Sequence, residues 1–407
     1  MSYKINVSIN IPARYQNVSG GIYMKVTFYS NFLTHHQVPF CLEMQKRLGD
    51  DFKFVSTVKI FQWRLDLGFK DLDQEYDFVV RAYENEETYN YAKKLADESD
   101  IVIIGSTVDD LIKDRLEADK ITFRYRSRIF LFVDGFWKTI FNKEKLGLLY
   151  GRHIKYRKNK NLYLLCANAY GANDFSKFGL YKNKMYKWGY FLETNIYDID
   201  KLIEQKEQND KIEIVWVARF LKWKHPEYVV YLAKSLKKQG YKFKIKMLGT
   251  GELEQKIRKQ VKDYNLDDVL EIVGQVASDK VKDYYEKANI FIGTSDSNEG
   301  WGAVVNESMN AGCAVVASKK MGSVPFLIQD GENGLIYNTY NEFEKKVKQV
   351  INNKELRDKI SKNAYKFITE KWTANMAAEN LITLFNSILA GSEVDIKEGP
   401  ASKATKM

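Results

Sequence analysis

The chain has 407 residues, of which 45% are hydrophobic and 29% are charged, a balance typical of globular proteins. This length exceeds what one hydrophobic core usually organises, so the sequence predicts two domains. No stretch approaches the roughly 20 uncharged apolar residues that a membrane-spanning helix requires, so we expect no such helix. Three widely spaced cysteines, Cys41, Cys166 and Cys313, offer neither a disulfide framework nor the ligand spacing of a zinc site.

The positive charge of the sequence is concentrated in one segment. The formal net charge is +10, and residues 120–160 alone contain 12 basic and 2 acidic residues, so the rest of the chain is close to neutral. A localised charge of this kind indicates an anionic partner. Aromatic residues alternate with the basic ones, which is typical of segments that dock on an anionic membrane surface. We expect Arg124, Arg126 and Arg128 to face such a membrane or an acidic acceptor glycan; a solvated basic face is the alternative.

The first half of the sequence alternates strand-like and helix-like patterns, as an α/β domain with a parallel sheet does. The first predicted strand begins at Met24, which makes residues 1–23 an N-terminal extension. Further strands are predicted at residues 52–56, 76–80, 101–105 and 162–166, and a helix at 84–96. Residues 24–200 are therefore predicted to form one Rossmann-like domain, with the boundary near residues 195–210.

The second half shows the same alternation more clearly. Strands are predicted at residues 212–217, 243–248, 269–273, 290–292 and 314–317, with helical segments between them. Residues 201–370 are predicted to form a second Rossmann-like domain that faces the first across a cleft. Apolar residues at helical spacing indicate two long helices near the C-terminus, and we expect residues 371–390 to return to the first domain. The polar tail, residues 391–407, is predicted to be disordered.

The strongest functional motif follows a predicted strand and runs into a helix, with the sequence Glu299-Gly-Trp-Gly-Ala-Val-Val-Asn-Glu307. Ligands of open α/β sheets bind beyond the carboxyl ends of the strands, where helix N-termini present free amides to phosphate groups. Gly300 and Gly302 would let the backbone approach a ligand closely. The two carboxylates lie about two helical turns apart on a similar face, so each could contact a different part of an elongated ligand. The alternative is a capped helix with two surface acids.

A second motif, Val217-Ala-Arg-Phe-Leu-Lys-Trp-Lys-His-Pro226, follows the first strand of the second domain. Pro226 suits the first turn of a helix, so the motif is predicted to be a strand-to-helix turn. The Arg219 guanidinium could donate two hydrogen bonds to a diphosphate, and the Lys224 ammonium could add a second positive charge. Together they would stabilise a diphosphate leaving group as its charge develops. A solvated basic turn is the alternative.

With these motifs, residues 212–352 resemble the donor domain of retaining glycosyltransferases of the GT-B type, namely the family-4-like enzymes that include bacterial capsular and cell-surface polysaccharide transferases. The family is marked by two glutamates separated by seven residues, an aromatic glycine turn between them, and an arginine and a lysine after the first strand. The matching residues are Glu299, Gly300, Trp301, Gly302, Glu307, Arg219 and Lys224. One departure is His225, which stands where a glycine commonly follows the lysine.

The resemblance implies that the second domain holds most of a nucleotide-sugar donor. Glu299 would bind the donor sugar and Glu307 the ribose, while Arg219 and Lys224 would hold the diphosphate. A glycine turn would lie beside the nucleotide, a second turn would read its base, and the amides of the glutamate motif would complete the cradle. These further donor-binding positions are Gly249, Gly251, Val273, Gln275, Val276, Gly300, Trp301, Gly302 and Ala303.

Two histidines follow the first predicted strand of the first domain. His35 and His36 lie where that domain would face the cleft, so either could contact an acceptor hydroxyl or the donor sugar. We favour His36 as the catalytic-site histidine; a packed or helix-capping histidine is the alternative. Many relatives carry a glycine pair in this loop, whereas this sequence has Ser30, Asn31 and Thr34. The contact of this domain with the donor phosphates therefore stays open.

The predicted function is transfer of a sugar from a nucleoside-diphosphate donor to a hydroxyl of a glycan or lipid-linked glycan, with retention of configuration, in cell-surface polysaccharide synthesis. Asp109, Asp134 and Asp296 form no convincing cation pair, so neither a cofactor nor an obligatory metal is expected. Residues 2–21 lack a secretory signal pattern, so we expect a cytoplasmic enzyme at the inner face of the membrane, with no nucleic-acid partner. A sugar-nucleotide epimerase and a basic nucleic-acid-binding protein are the alternatives.

Overall fold

The structure is a computed structural model that describes residues 23–66, 70–105, 109–126, 147 and 149–406. The described chain divides into two compact units. Unit 1 holds the described residues up to Cys166, residues Gly171–Phe191 and the chain from Ala374 onward, whereas unit 2 holds Ala167–Tyr170 and Leu192–Thr373. Each unit is an α/β domain built on one parallel sheet, which confirms the predicted pair of Rossmann-like domains.

The sheet of unit 1 has seven strands within the described residues. They are β1 (Val26–Ser30), β2 (Phe52–Ser56), β3 (Val79–Arg81), β4 (Ile101–Ile104), β5 (Thr122–Arg126), β6 (Leu162–Cys166) and β7 (Met185–Lys187). They pair in the order β3-β2-β1-β4-β5-β6-β7, and all pairs are parallel. All residues of β1 and β4 are buried, as expected for a parallel sheet covered on both faces. The strand order reverses beside β1, so the loop after β1 lies at the switch point of this sheet.

The described helices of unit 1 that precede residue 191 are α1 (Val38–Leu48), α2 (Gln62–Asp66), α3 (Glu86–Glu98), α4 (Asp109–Glu117) and α5 (Gly171–Ser176). Helix α3 shows why a helix begins where it does. The side chain of Asn85 accepts a hydrogen bond from the Thr88 amide, and the Thr88 side chain bonds the Asn85 amide in return. This capping box satisfies two backbone donors that the first turn would otherwise leave unpaired.

Unit 2 has a six-stranded sheet. Its strands are β8 (Ile212–Val217), β9 (Phe243–Leu248), β10 (Leu270–Gly274), β11 (Ile290–Gly293), β12 (Ala314–Ser318) and β13 (Leu335–Tyr337). They pair in the order β10-β9-β8-β11-β12-β13, again all parallel. From β8 the chain adds β9 and β10 on one side. It then crosses back to β11, on the other side of β8, and adds β12 and β13 there. The switch point, where ligands of such sheets bind, therefore lies beyond Val217 and Gly293.

The helices of unit 2 are α6 (Ile199–Lys206), α7 (Pro226–Lys238), α8 (Glu254–Asp263), α9 (Val281–Lys287), α10 (Val304–Asn310), α11 (Val324–Leu327), α12 (Tyr340–Asn352) and α13 (Lys354–Glu370). Helix α7 begins at Pro226, as predicted, because a missing amide costs nothing in the first turn. Large apolar residues such as Trp216, Val230 and Phe343 fill the core between the sheet and the helices. This rigid core fixes the loops at the carboxyl edge of the sheet.

The last helix, α14 (Ala374–Leu389), belongs to unit 1. The ring of Phe385 lies 4.9 Å from that of Phe123 on β5, measured between centroids. The tail beyond α14 differs from the predicted disorder: the Lys187 amide donates to the Ser402 carbonyl at 2.7 Å, and the Ala404 amide donates to the Met185 carbonyl at 3.0 Å. The tail thus pairs with the edge strand β7, whose unpaired backbone groups bind it in spite of its polar composition.

Candidate functional site

The predicted functional residues of the second domain lie at the switch point of the unit 2 sheet. Arg219 and Lys224 are in the loop that follows β8, and Glu299 is in the loop that follows the neighbouring strand β11. Glu307 lies on α10, the helix after that loop, so the prediction that both glutamates lie on one helix is wrong: the helix begins only at Val304. The parallel sheet therefore brings together the two motifs that are about 75 residues apart in the sequence.

Lys224 and Glu299 form an ion pair between the two loops. The Lys224 ammonium contacts Oε2 of Glu299, and the two side chains are only 12% and 10% exposed. The Ser295 hydroxyl donates to the same carboxylate oxygen at 2.9 Å. Within the described residues, Oε1 of Glu299 has no hydrogen-bond partner. One oxygen thus anchors the carboxylate while the other remains available to a ligand.

The backbone around Lys224 is tied to the loop after β11. The Thr294 hydroxyl donates to the Lys224 carbonyl at 2.5 Å and accepts a hydrogen bond from the Trp216 indole at 2.8 Å. The Asp296 amide donates to the Trp223 carbonyl at 2.9 Å. These bonds hold the ammonium beside the carboxylate, so the geometry of the pair is set by both strands.

Arg219 is exposed, and its guanidinium makes no hydrogen bond or ion pair with any residue that the structure describes. Its loop is shaped by the predicted glycine turn. A Cβ at Gly249 would collide with the Ala218 carbonyl, and a Cβ at Gly251 would lie 2.7 Å from the Phe220 carbonyl oxygen. The two glycines are therefore needed where their turn approaches the backbone of Ala218 and Phe220 closely. The Arg219 side chain is available to an anion.

Glu307 is oriented by a tyrosine on the neighbouring helix. The hydroxyl of Tyr285, on α9, donates to Oε2 of Glu307 at 3.1 Å. Burial raises the pKa of Tyr285 well above its usual range, so the hydroxyl stays a donor. Burial also raises the pKa of Glu307. Both residues line a cavity of about 220 Å³ that Val217, Ser278 and Lys282 also line.

Residues 198–367 match the family glycosyl transferases group 1. WcaL of Salmonella typhimurium, a glycosyltransferase named for colanic acid biosynthesis, is 31% identical over 128 residues, which cover 30% of this chain and 31% of the relative. The capsular polysaccharide biosynthesis glycosyltransferase CapM of Staphylococcus aureus is 26% identical over 200 residues, which cover 48% of this chain and 52% of the relative. The chain therefore spans about a third to about half of the length of these curated relatives.

The fold is also found in solved structures. The crystal structure of HepE from Anabaena, in complex with UDP and glucose, matches with a TM-score of 0.62 at 15% identity. The match covers 90% of this chain and 100% of that chain. The two units are thus Rossmann-like domains of the GT-B type, as predicted.

Trp301 does not have the exposed position that its predicted donor contact requires. Its side chain is 3% exposed, its indole donates to Asn306 at 2.9 Å, and its ring stacks on Trp372 with centroids 5.7 Å apart. The ring therefore supports the loop from within the core, and only the backbone of Trp301 is left to contact a ligand.

Gly302 needs to be glycine, because it has a φ of +87° and a Cβ there would lie 3.3 Å from Cγ of Glu299.

The other predicted cradle positions occupy neighbouring turns. Val273 is in β10, Gln275 is exposed beyond it, and Val276 is partly buried. The Gly249 amide donates to the Gly274 carbonyl at 2.7 Å, so the predicted base-reading turn adjoins the glycine turn. Ala303 is the N-cap of α10 and is partly exposed. The sequence motifs thus lie along one edge of the sheet.

Sequence reasoning missed Asn168 as a site residue. Its side chain is fully buried, and its amide donates to the Gly300 carbonyl, while its Oδ1 accepts from the Tyr170 amide at 2.8 Å. Asn168 therefore fixes the glutamate-motif loop from a position 132 residues earlier in the chain. Ser295 and Tyr285, which orient the two glutamates, were missed as well. None of these residues belongs to a spacing pattern that one sequence could reveal.

In unit 1, His35 and His36 follow β1 at the switch point of that sheet. The ring of His36 stacks on that of Tyr190 with centroids 4.9 Å apart, and it lies 3.7 Å from the ring of His35. Burial lowers the pKa of His36 to about 3, so its imidazole is neutral at physiological pH. Its Nδ1 is buried and lacks a hydrogen-bond partner among the described residues. A neutral imidazole of this kind can exchange hydrogen bonds with a hydroxyl but is a poor acid.

The basic segment is only partly described. Arg124 is fully buried in β5, so the prediction that it faces a membrane or an acceptor is wrong. It lies on an interior strand whose neighbours are β4 and β6, which the alternation of basic and aromatic residues did not reveal. The Arg126 side chain, Arg128 and Asp134 lie outside the described residues. The exposed basic residues in the described part include Lys155, Arg157, Lys158 and Lys160.

Two further findings concern the described residues as a whole. None of the described helices is long and apolar enough to cross a membrane. Among the described residues, there is no group of three or more histidine, cysteine, aspartate or glutamate side chains that could hold a metal ion.

Proposed function

We propose that the protein transfers a sugar from a nucleoside-diphosphate donor to a hydroxyl of a glycan or lipid-linked glycan, with retention of configuration, in cell-surface polysaccharide synthesis. One observation carries this proposal. The buried Lys224–Glu299 pair and the exposed Arg219 guanidinium occupy the loops of neighbouring strands at the switch point of unit 2, in the part of the chain that matches group 1 glycosyltransferases. Cations for a diphosphate and a carboxylate for sugar hydroxyls are thus held at one edge of unit 2.

The two basic residues would stabilise the leaving group. As the bond between the sugar and the diphosphate breaks, negative charge develops on the phosphate oxygens. The Arg219 guanidinium can donate two parallel hydrogen bonds to these oxygens, and the Lys224 ammonium adds a charge whose strength is preserved by burial. We propose that these two cations do the work that a metal ion does in other transferases, so that no metal is required.

The two glutamates would bind the neutral parts of the donor. Ser295 and Lys224 hold Oε2 of Glu299, so Oε1 can accept a hydrogen bond from a sugar hydroxyl. Tyr285 holds Oε2 of Glu307 in the same way, which directs its second oxygen to the ribose. The adjoining cavity of about 220 Å³ would take the nucleoside. HepE was crystallised with UDP and glucose, which makes UDP the first nucleotide to test.

Positioning accounts for most of the catalysis in this proposal, and no side chain need act as a covalent nucleophile. In unit 1, the neutral imidazole of His36 would contact a hydroxyl of the acceptor or of the donor sugar. No observation favours the epimerase or the nucleic-acid-binding alternative. An epimerase of the same fold would use the donor pocket without a second substrate, and a nucleic-acid-binding protein would leave the donor-domain motifs unexplained.

The proposal is tested by an assay of transfer from UDP-, GDP- and ADP-sugars to membrane glycolipid extract, with a CMP-sugar as the control donor that lacks a diphosphate. One donor is expected to be consumed only when the acceptor is present, with equal amounts of free nucleotide and glycosylated acceptor. An epimerase would convert the donor without any acceptor. The rate is expected to be unchanged by EDTA, because Arg219 and Lys224 supply the positive charge.

We also propose that the enzyme is cytoplasmic and docks on the anionic inner face of the membrane through the basic segment. Lys155, Arg157, Lys158 and Lys160 are exposed, and each basic residue near such a surface contributes about 1 kcal/mol. Co-sedimentation is expected with anionic but not with neutral vesicles, and it is expected to weaken as salt rises. Replacing these four residues by alanine should reduce it. Protein that stays in the supernatant with anionic vesicles at low salt would refute the membrane contact and leave an acidic acceptor glycan or a solvated basic face.

A further inference from the structure

His225 occupies a backbone conformation that disfavours side chains. It has a φ of 47° and a ψ of 53°, in the left-handed region, and it precedes the first residue of α7. Glycine adopts this conformation without strain, whereas most L-residues do not. A histidine at this position therefore needs compensating contacts from its side chain.

The imidazole of His225 bridges two carboxylates on different elements. Its Nδ1 lies 2.9 Å from Oε1 of Glu227, on α7, and its Nε2 lies 3.4 Å from Oδ2 of Asp296, in the loop after β11. The ring also stacks on Tyr228, with centroids 4.9 Å apart. The side chain is 26% exposed, so the bridge is partly shielded from solvent.

The bridge joins the two loops that carry the candidate catalytic groups. His225 directly follows Lys224. The Asp296 carbonyl accepts a hydrogen bond from the Glu299 amide at 3.1 Å, and the Asp296 amide donates to the Trp223 carbonyl at 2.9 Å. A change in the distance between His225 and Asp296 would therefore move Lys224 relative to Glu299.

We propose that protonated His225 is a positioning residue that clasps the Lys224 loop to the Glu299 loop, so that donor turnover depends on the protonation of this imidazole. The proposal rests on the function assigned above to Lys224 and Glu299. Only the imidazolium carries hydrogens on both ring nitrogens, so only the charged form donates to Glu227 from Nδ1 and forms the ion pair with Asp296 through Nε2 at once. The neutral ring must give up one of these two contacts.

The charges around His225 set the pH range of the clasp. The hydrogen bond to Glu227 is the main cause that raises the pKa of His225, and the charges of Glu227 and Asp296 add to it against the opposing effect of burial. The charge of Lys256, on α8, helps to keep the pKa of Glu227 below its usual range. Because the pKa in the folded protein is raised, the clasp is complete below the ordinary pKa of about 6.5 and is lost as pH rises through the folded value.

The pH profile of kcat/KM for the donor in wild type and in the His225→Gly variant tests this proposal. Glycine tolerates the left-handed backbone, so the variant keeps the turn and loses only the ring. The ratio of wild type to variant is expected to be about tenfold or more near pH 6, the effect of one hydrogen bond to a charged group, and to approach one near pH 9. A ratio that is constant with pH would show that His225 only shapes the turn.

A second variant distinguishes the effect of Glu227 on the His225 imidazole from that of Asp296. Glu227→Gln leaves Asp296 in place and removes the main cause of the raised pKa, so the decline in activity is expected to move to lower pH. If activity declines at the same pH in this variant as in wild type, the clasp is refuted.

Unfolding free energies of wild type and His225→Gly, measured from pH 6 to 9 without donor, keep the inference testable if no transfer is found. Their difference should shrink as pH rises, and a constant difference would refute the clasp independently of the proposed function.

Discussion

Replacing Arg219 by lysine is expected to reduce turnover about a hundredfold and to leave the stability of the protein nearly unchanged. The guanidinium is exposed and forms no hydrogen bond or ion pair with any described residue, so its replacement should cost the fold little. Lysine keeps the charge but cannot donate two parallel hydrogen bonds to a diphosphate, and the loss of one oriented donor to a developing charge costs about 10²-fold or more. Donor turnover and thermal unfolding of the purified variant measure the two effects.

Arg258 provides the matched control for this substitution. It is an arginine of unit 2 that pairs with Glu254 on α8, away from the switch point. Arg258→Lys is expected to retain wild-type turnover. Equal turnover in Arg219→Lys and wild type would make Arg219 a surface residue without a part in the reaction.

Removing either partner of the Lys224–Glu299 pair is expected to reduce both stability and turnover. The two side chains are 12% and 10% exposed, and a buried charge left without its partner costs about 3 kcal/mol of unfolding free energy. Glu299→Ala is also expected to reduce turnover about a thousandfold, because the hydroxyl acceptor for the sugar is lost together with the position of Lys224. Denaturant unfolding and steady-state kinetics measure these changes.

The double variant Lys224→Met with Glu299→Gln separates the two effects. It removes both charges, so stability is expected to recover relative to either single variant, whereas turnover is not. Asp268→Ala, which breaks the exposed Lys237–Asp268 pair, is the stability control and should cost less than about 1 kcal/mol. The assignment of a buried catalytic pair would be wrong if Glu299→Ala behaved like this surface control.

The sequence predicted five of the six strands of unit 2, because these are apolar or alternating runs between turn residues. The predicted ends of β8 and β9 agree with the structure, and β10 is displaced by one residue. The short strands β7 and β13 have three residues each, too few for a periodic pattern to stand out. The shared location of the motif residues could be predicted from one rule, that the loops after neighbouring parallel strands meet at one edge of the sheet.

Contacts between distant residues could not be predicted in this way. Asn168 reaches the Gly300 carbonyl across 132 residues, and Tyr285 reaches Glu307 from another helix. Arg124 was misjudged because a buried arginine on an interior strand has the same sequence pattern as one on a surface. The pairing of the tail with β7 likewise depends on an unpaired strand edge, which composition does not show.

The most direct test of the central claim is the acceptor-dependent transfer assay with the purified protein. The account predicts that one nucleoside-diphosphate sugar is consumed only in the presence of acceptor, that free nucleotide and glycosylated acceptor form in equal amounts, and that Arg219→Lys slows both equally. Consumption of the donor without acceptor, or full activity in that variant, would contradict it.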